Sequence, residues 1–157
     1  MPLTEAFAWI EASGLARVVG TTPGVYPLVS ALHIMGIALV VGSIVAVDLR
    51  LLRVLGPALD GALPSLVRLA LAGFAVAATT GALLASVRIG AYAANPAFQA
   101  KLAILALAGA NALLLRLLCG PHGAPAMVGR PAGRIAATAS LSLWASAVLA
   151  GRWIAFV

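Results

Sequence analysis

Four long apolar stretches dominate the chain, and short polar or Pro- and Gly-rich segments separate them. Their approximate bounds are residues 25–47, 66–87, 98–118 and 135–156. Each is close to the roughly 20 residues that an α-helix needs to cross the hydrocarbon core of a bilayer. The backbone must satisfy its own hydrogen bonds there, which favours helices over strands. The pattern therefore predicts an all-α integral membrane protein, with a four-helix bundle over residues 23–157.

The first 22 residues have a different pattern. Leu3, Phe7 and Ile10 fall near one face of a helix, and the glutamates of this segment lie elsewhere. This spacing predicts one amphipathic helix over residues 3–20 that lies in the membrane interface. The segment lacks the basic start and the unbroken apolar core of a signal peptide.

The composition supports a membrane protein and argues against a soluble one. Of the 157 residues, 63% are hydrophobic and only 9% are charged, whereas a soluble domain carries about 25% charged residues. The net charge of +6 does not indicate nucleic-acid binding, because the basic residues stand singly at the ends of apolar stretches. The single cysteine, Cys119, has no partner for an internal disulfide.

The distribution of the arginines indicates how the protein is oriented in the membrane. The loops after the first and third apolar stretches carry six of them: Arg50, Arg53, Arg68, Arg116, Arg130 and Arg134. Cytoplasmic loops carry an excess of Lys and Arg. We therefore expect these loops in the cytoplasm and both termini on the outer, periplasmic side.

His33 is the ionisable residue that lies well inside an apolar stretch. Such residues are costly in a bilayer and often serve a function. Gly36, one turn later, would leave room for a flat ligand such as haem, whose iron takes an imidazole nitrogen as ligand, or would admit a neighbouring helix. His33 is thus a candidate ligand of haem b iron, a quinone contact or proton relay, or a hydrogen-bond donor to a facing helix.

A second axial ligand for haem is not evident in the sequence. The other histidine, His122, follows the third stretch and should lie roughly 20 Å from His33 in depth, at about 1.5 Å per helical residue. One haem cannot bridge both within a monomer. The second ligand would come from another subunit or be absent.

The remaining polar residues favour structural roles. Asp48 and Arg50, at the end of the first stretch, predict an ion-pair network with neighbouring arginines, and Asn111 predicts a hydrogen bond between helices. Basic side chains at the outer ends of the helices would form a polar rim for an anionic group. These residues are Arg88, Lys101 and Arg152. No nucleophile–base pair, catalytic carboxylate pair or phosphate-binding loop is evident, so we assign no catalytic residue and do not expect an autonomous enzyme.

Four blocks of the sequence carry a resemblance to a known family. They are YPLVSALHIMG (26–36), VDLRLL (47–52), NPAFQAKL with ANAL (95–113) and SLSLWASAVLAGRWIAF (140–156). Together they resemble an uncharacterised family of small bacterial four-helix inner-membrane proteins, a domain of unknown function. More distantly, the histidine followed by glycine is similar to CopD-type proteins and small b-type cytochromes. The resemblance implies a bacterial inner-membrane location.

Three functions remain open at this point. The first is a redox-associated subunit that binds haem b or quinone near the outer leaflet through His33. The second is a non-catalytic structural or accessory protein, in a homo-oligomer or with other membrane subunits. The third, a small solute or copper transporter, has little support, because the sulfur ligands that favour Cu(I) are sparse and do not converge on His33.

Overall fold

A computed structural model describes residues 3–120 and 123–157, and these contain seven α-helices. The helices are α1 (Leu3–Glu11), α2 (Gly14–Thr21), α3 (Val25–Leu51), α4 (Leu63–Ser86), α5 (Ile89–Ala94), α6 (Pro96–Cys119) and α7 (Pro131–Trp153). Two short 3-10 helices, Pro57–Ala62 and Ala124–Met127, lie in the loops before α4 and α7. Pro121 and His122 lie outside the described residues.

Four helices, α3, α4, α6 and α7, are long and apolar enough to cross a membrane. The predicted all-α bundle is therefore confirmed, and the chain is a multi-pass membrane protein. Their bounds lie within a few residues of the predicted ones. Helix α3 continues past Val47 to Leu51, so that Arg50 lies in its last turn.

Proline and asparagine set the starts of the later helices. A proline occupies the first turn of α4, α6 and α7, where its missing N–H leaves no hydrogen bond unmade. Asn95 caps α6, and its side-chain oxygen accepts from the backbone N–H of Phe98 at 3.0 Å. The Asn95 amide also donates to the carbonyls of Ile154 and Val157, which ties the end of the chain to the start of α6.

The N-terminal segment differs from the single helix predicted over residues 3–20. It forms two helices, because Ser13 caps α2 by accepting from the backbone N–H of Ala16 at 3.3 Å. Helix α1 contacts α5, where the Glu11 carboxylate accepts from the backbone N–H of Gly90 at 2.9 Å. Helix α5 lies in the segment between the second and third apolar stretches.

The spanning helices pack as two hairpins, α3 with α4 and α6 with α7, and α3 joins them by contacting α7. The contacts therefore run in the order α4–α3–α7–α6. A buried apolar cluster closes the end of the bundle that carries the α3–α4 and α6–α7 loops, here called the arginine-rich end. The cluster consists of Val47, Leu51, Leu63, Cys119, Met127 and Ala137.

Candidate functional site

The candidate site centres on His33, about two turns in from the start of α3 and far from the arginine-rich end. Its ring is half-buried and faces α4. Nδ1 lies 2.8 Å from the Ala77 carbonyl oxygen and 3.2 Å from Oγ1 of Thr80. A carbonyl oxygen only accepts hydrogen bonds, so Nδ1 must carry the hydrogen.

This assignment leaves Nε2 as the available nitrogen of the ring. In the neutral imidazole Nε2 is an unprotonated acceptor. Nε2 makes no hydrogen bond to any residue in the described part of the chain. His33 thus offers one oriented lone pair inside the membrane region.

Residues of helix α4 hold the His33 ring in one position. The Thr80 hydroxyl donates to the Val76 carbonyl at 2.6 Å, so its oxygen is free to accept from Nδ1 of His33. Gly81 lies directly beside the ring, and a methyl group at that position would stand 2.9 Å from Cε1 of His33. The small residue is what lets the imidazole approach α4 closely.

Gly36 serves the contact between the two helices. A methyl group at Gly36 would lie 2.7 Å from the Ala77 nitrogen and 3.0 Å from the Gly73 oxygen. Gly73 on α4 is equally close to the backbone of α3. The sequence offered two reasons for a glycine at this position, room for a flat ligand or contact with a neighbouring helix. The structure shows the helix contact. The backbone of α4 fills the space beside Gly36, which is therefore not open to a flat ligand.

The three basic residues of the predicted outer rim have different surroundings. Lys101 is half-buried against α7, and a methyl group at Gly151 would lie 3.3 Å from its Nζ. Lys101 and His33 both lie towards the end of the bundle opposite the arginine-rich end. Arg152 is exposed, with its guanidinium 4.9 Å from the ring centroid of Phe156.

Arg88, the third rim residue, is exposed at the start of α5. Within the described residues, no hydrogen bond or salt bridge joins Arg88, Lys101 and Arg152 to one another. Of the three, Lys101 is the half-buried residue, and the two arginines are exposed.

Arg50 has a partner that the sequence analysis missed. Its guanidinium donates to both carboxylate oxygens of Asp60, at 2.6 and 3.0 Å, and to the Leu55 carbonyl at 3.2 Å. The pairing expected for Asp48 is not seen among the described residues. The signal for Asp60 was an acidic residue in the turn after α3, within reach of an arginine at the end of that helix.

Asn111 bridges the second hairpin. Its amide on α6 donates to the Ala136 carbonyl on α7 at 3.0 Å. His33 and Asn111 therefore make the same kind of contact, because each side chain donates a hydrogen bond to a backbone carbonyl of the facing helix. They differ in that His33 keeps a second nitrogen free.

The donor set at His33 fits one axial ligand of a haem. In the part of the chain that the structure describes, no three His, Cys, Asp or Glu side chains cluster to hold a metal ion. His33 is the one histidine there, because His122 lies outside the described residues. One subunit thus supplies an oriented imidazole nitrogen from its described part and no second imidazole.

Comparison with known proteins identifies the family. A family model for a family of unknown function, DUF6644, matches residues 6–157. The chain belongs to this family. Comparisons with the curated proteins and with the solved structures found no match.

Proposed function

We propose that this member of the DUF6644 family is a small redox-associated membrane protein that binds haem b through Nε2 of His33. The observation that carries the proposal is the hydrogen bond from Nδ1 to the Ala77 carbonyl. Histidines that bind metals almost always donate their other N–H to a carbonyl, carboxylate or water, which fixes the ring and raises its basicity. His33 has this arrangement, and its other nitrogen is free.

The surroundings of His33 support an anionic cofactor. Lys101, which is half-buried towards the same end of the bundle as His33, would pair with a haem carboxylate. Arg88 and Arg152 are exposed cations towards the same end of the helices. Bound haem would supply one-electron chemistry, and the chain's own part is to hold the ring of His33 and balance the charge.

The second axial ligand is expected from another subunit. The described residues contain no second histidine beside His33. In a two-fold symmetric dimer, the same residue of each copy can face its equivalent across the axis. The proposal therefore includes a homo-oligomer in which two His33 rings share one haem.

A quinone site is the second candidate, and the single free nitrogen favours it. The hydroxyl of a quinol can donate to the neutral Nε2, and this interaction needs no second ligand. His33 is half-buried at the edge of the helix pair, so an apolar ligand could reach it from the lipid. The charge of Lys101 would favour the electron-rich oxygen of such a ligand.

The proposed location is the bacterial inner membrane, with both termini on the periplasmic side. The excess of arginine at the opposite end supports this orientation. A reporter that is active only in the periplasm, fused after Val157, is expected to give a signal. Activity of a cytoplasmic reporter at the same position would overturn the orientation.

The test of haem binding is an absorption spectrum of the detergent-purified protein, first oxidised by air and then reduced with dithionite. We expect a Soret band that shifts on reduction and is lost in His33→Ala. Asn111→Ala is the matched control, because Asn111 also donates to a carbonyl of the facing helix. It is expected to keep the band.

The other outcomes separate the candidates. A pigment retained stoichiometrically by His33→Ala would overturn the ligand assignment. No Soret band after expression with ample haem would overturn haem binding. A quinone that then co-purifies with the wild type and Asn111→Ala, but not with His33→Ala, would establish the second candidate.

A further inference from the structure

Asp48 is a buried acidic side chain that the proposed function does not use. It lies near the arginine-rich end of α3 and is only 3% exposed. Its Oδ2 has no hydrogen-bond partner in the part of the chain that the structure describes. On the facing helix α7, the hydroxyl of Ser140 lies nearby, and Ser140 is itself buried.

Among the residues that the structure describes, no cation pairs with this carboxyl. The charged and titratable groups at this end of the bundle are Arg50 and Arg53 at the end of α3, Asp60 and Arg68 in and after the α3–α4 loop, Arg116 and Cys119 on α6, and Arg130 and Arg134 at the start of α7. None of them forms a hydrogen bond or salt bridge with Asp48.

These groups are engaged elsewhere or point away. Arg50 binds Asp60 and the Leu55 carbonyl, and Arg68 donates to Ser65. The other arginines are exposed, namely Arg53, Arg116, Arg130 and Arg134. Cys119 belongs to the apolar cluster, which offers the carboxyl no counter-charge.

The physical consequence concerns the charge state of Asp48. A carboxylate removed from water without a counter-ion is strongly destabilised, and such groups take up a proton instead. A neutral carboxylic acid needs much less compensation, and a single hydroxyl can provide its hydrogen bond. Ionisable groups inside membrane helices commonly mark the path of a proton or an ion.

We propose that Asp48 is a proton-binding site, held as a neutral carboxylic acid in the buried contact between α3 and α7. The step is simple protonation, in which one carboxylate oxygen forms an O–H bond with a proton from the nearby aqueous side. No electron is transferred. The site is separate from His33, because 15 residues of α3 span roughly 22 Å.

The test is infrared spectroscopy of the full chain in lipid nanodiscs. The carbonyl stretch of a protonated carboxylic acid is resolved from the bands of ionised carboxylates and of the backbone. We expect this band in the wild type at neutral pH and its loss in Asp48→Asn. Glu5→Gln is the control, since Glu5 is an exposed acid on α1, and it should leave the band intact.

A second variant guards against misfolding of Asp48→Asn. Ser140→Ala keeps the acid and removes only a neighbouring hydroxyl, so the band should remain. A wild type without the band at neutral pH, or a band that Asp48→Asn retains, would overturn the assignment. Loss of the band on adding sodium at constant pH would also overturn it, because the occupant would then be a metal cation.

Discussion

Replacing Gly36 by alanine is expected to destabilise the bundle, whereas the same change at Gly42 should leave its stability unchanged or raise it. The added methyl group at Gly36 would lie 2.7 Å from the Ala77 nitrogen. Backbone atoms cannot rotate away, so α3 and α4 must separate. Overpacking of this kind destabilises a protein by about 1–3 kcal/mol. It acts against the stabilisation of up to about 1 kcal/mol that alanine gives over glycine in a helix.

Gly42 is the matched control because it lies on the same helix and a methyl group there meets nothing within 4 Å. Gly73→Ala should behave like Gly36→Ala, since its methyl group would lie 2.8 Å from Cβ of Leu39. The measurement is the free energy of unfolding in mixed micelles, followed by circular dichroism. Equal stabilities for Gly36→Ala and Gly42→Ala would show that the helices are not in close contact there.

The helices could be predicted from the sequence because membrane crossing depends on length and hydropathy alone. A spanning segment needs a long apolar run whatever its neighbours are, and the prolines that open α4, α6 and α7 mark three of the starts. The break between α1 and α2 was missed. It depends on Ser13, whose side chain caps a helix of only eight residues, a signal that the amphipathic pattern around it obscures.

The candidate site could be predicted only in part. His33 stands out because a polar side chain interrupts an apolar stretch, and this can be seen in the sequence without a structure. Its partner is the backbone carbonyl oxygen of Ala77. Every residue type has this oxygen, so the sequence does not show which carbonyl accepts the hydrogen bond. The partner of Arg50 was missed for a related reason, because the fold of the α3–α4 loop decides which acid comes within reach.

Comparison of the two hairpins explains why His33 is interpreted as more than a structural contact. Asn111 bridges α6 and α7 with one amide hydrogen bond to a carbonyl. An amide on α3 could bridge α3 and α4 in the same way. Histidine adds a basic nitrogen that this bridge does not use, and a half-buried cation, Lys101, lies towards the same end of the bundle. Bridging α3 and α4 needs only the hydrogen bond from Nδ1. The free nitrogen, Nε2, is therefore the reason to propose a ligand at His33.

Gly81→Ala is expected to displace the His33 ring while costing little stability. The methyl group would lie 2.9 Å from Cε1 and 3.3 Å from Nδ1 of His33, and a side-chain ring can move where backbone cannot. Movement lengthens the hydrogen bond from Nδ1 to the Ala77 carbonyl. Loss of such an orienting bond weakens metal binding by about 10–100-fold, so titrated haem should bind correspondingly less tightly.

The position of the His33 ring can also be measured without a cofactor. The chain has two histidines, so nitrogen NMR of histidine-labelled protein resolves the Nδ1 of His33, and the resonance missing from His33→Ala assigns it. We expect the Nδ1 shift to lose its hydrogen-bonded value in Gly81→Ala and to keep it in Gly109→Ala, where a methyl group meets nothing within 4 Å. An unchanged Nδ1 shift in Gly81→Ala would mean that Gly81 does not hold the ring. A changed shift with unaltered haem affinity would mean that the orientation of Nε2 does not determine binding, and the haem proposal would lose the observation that carries it.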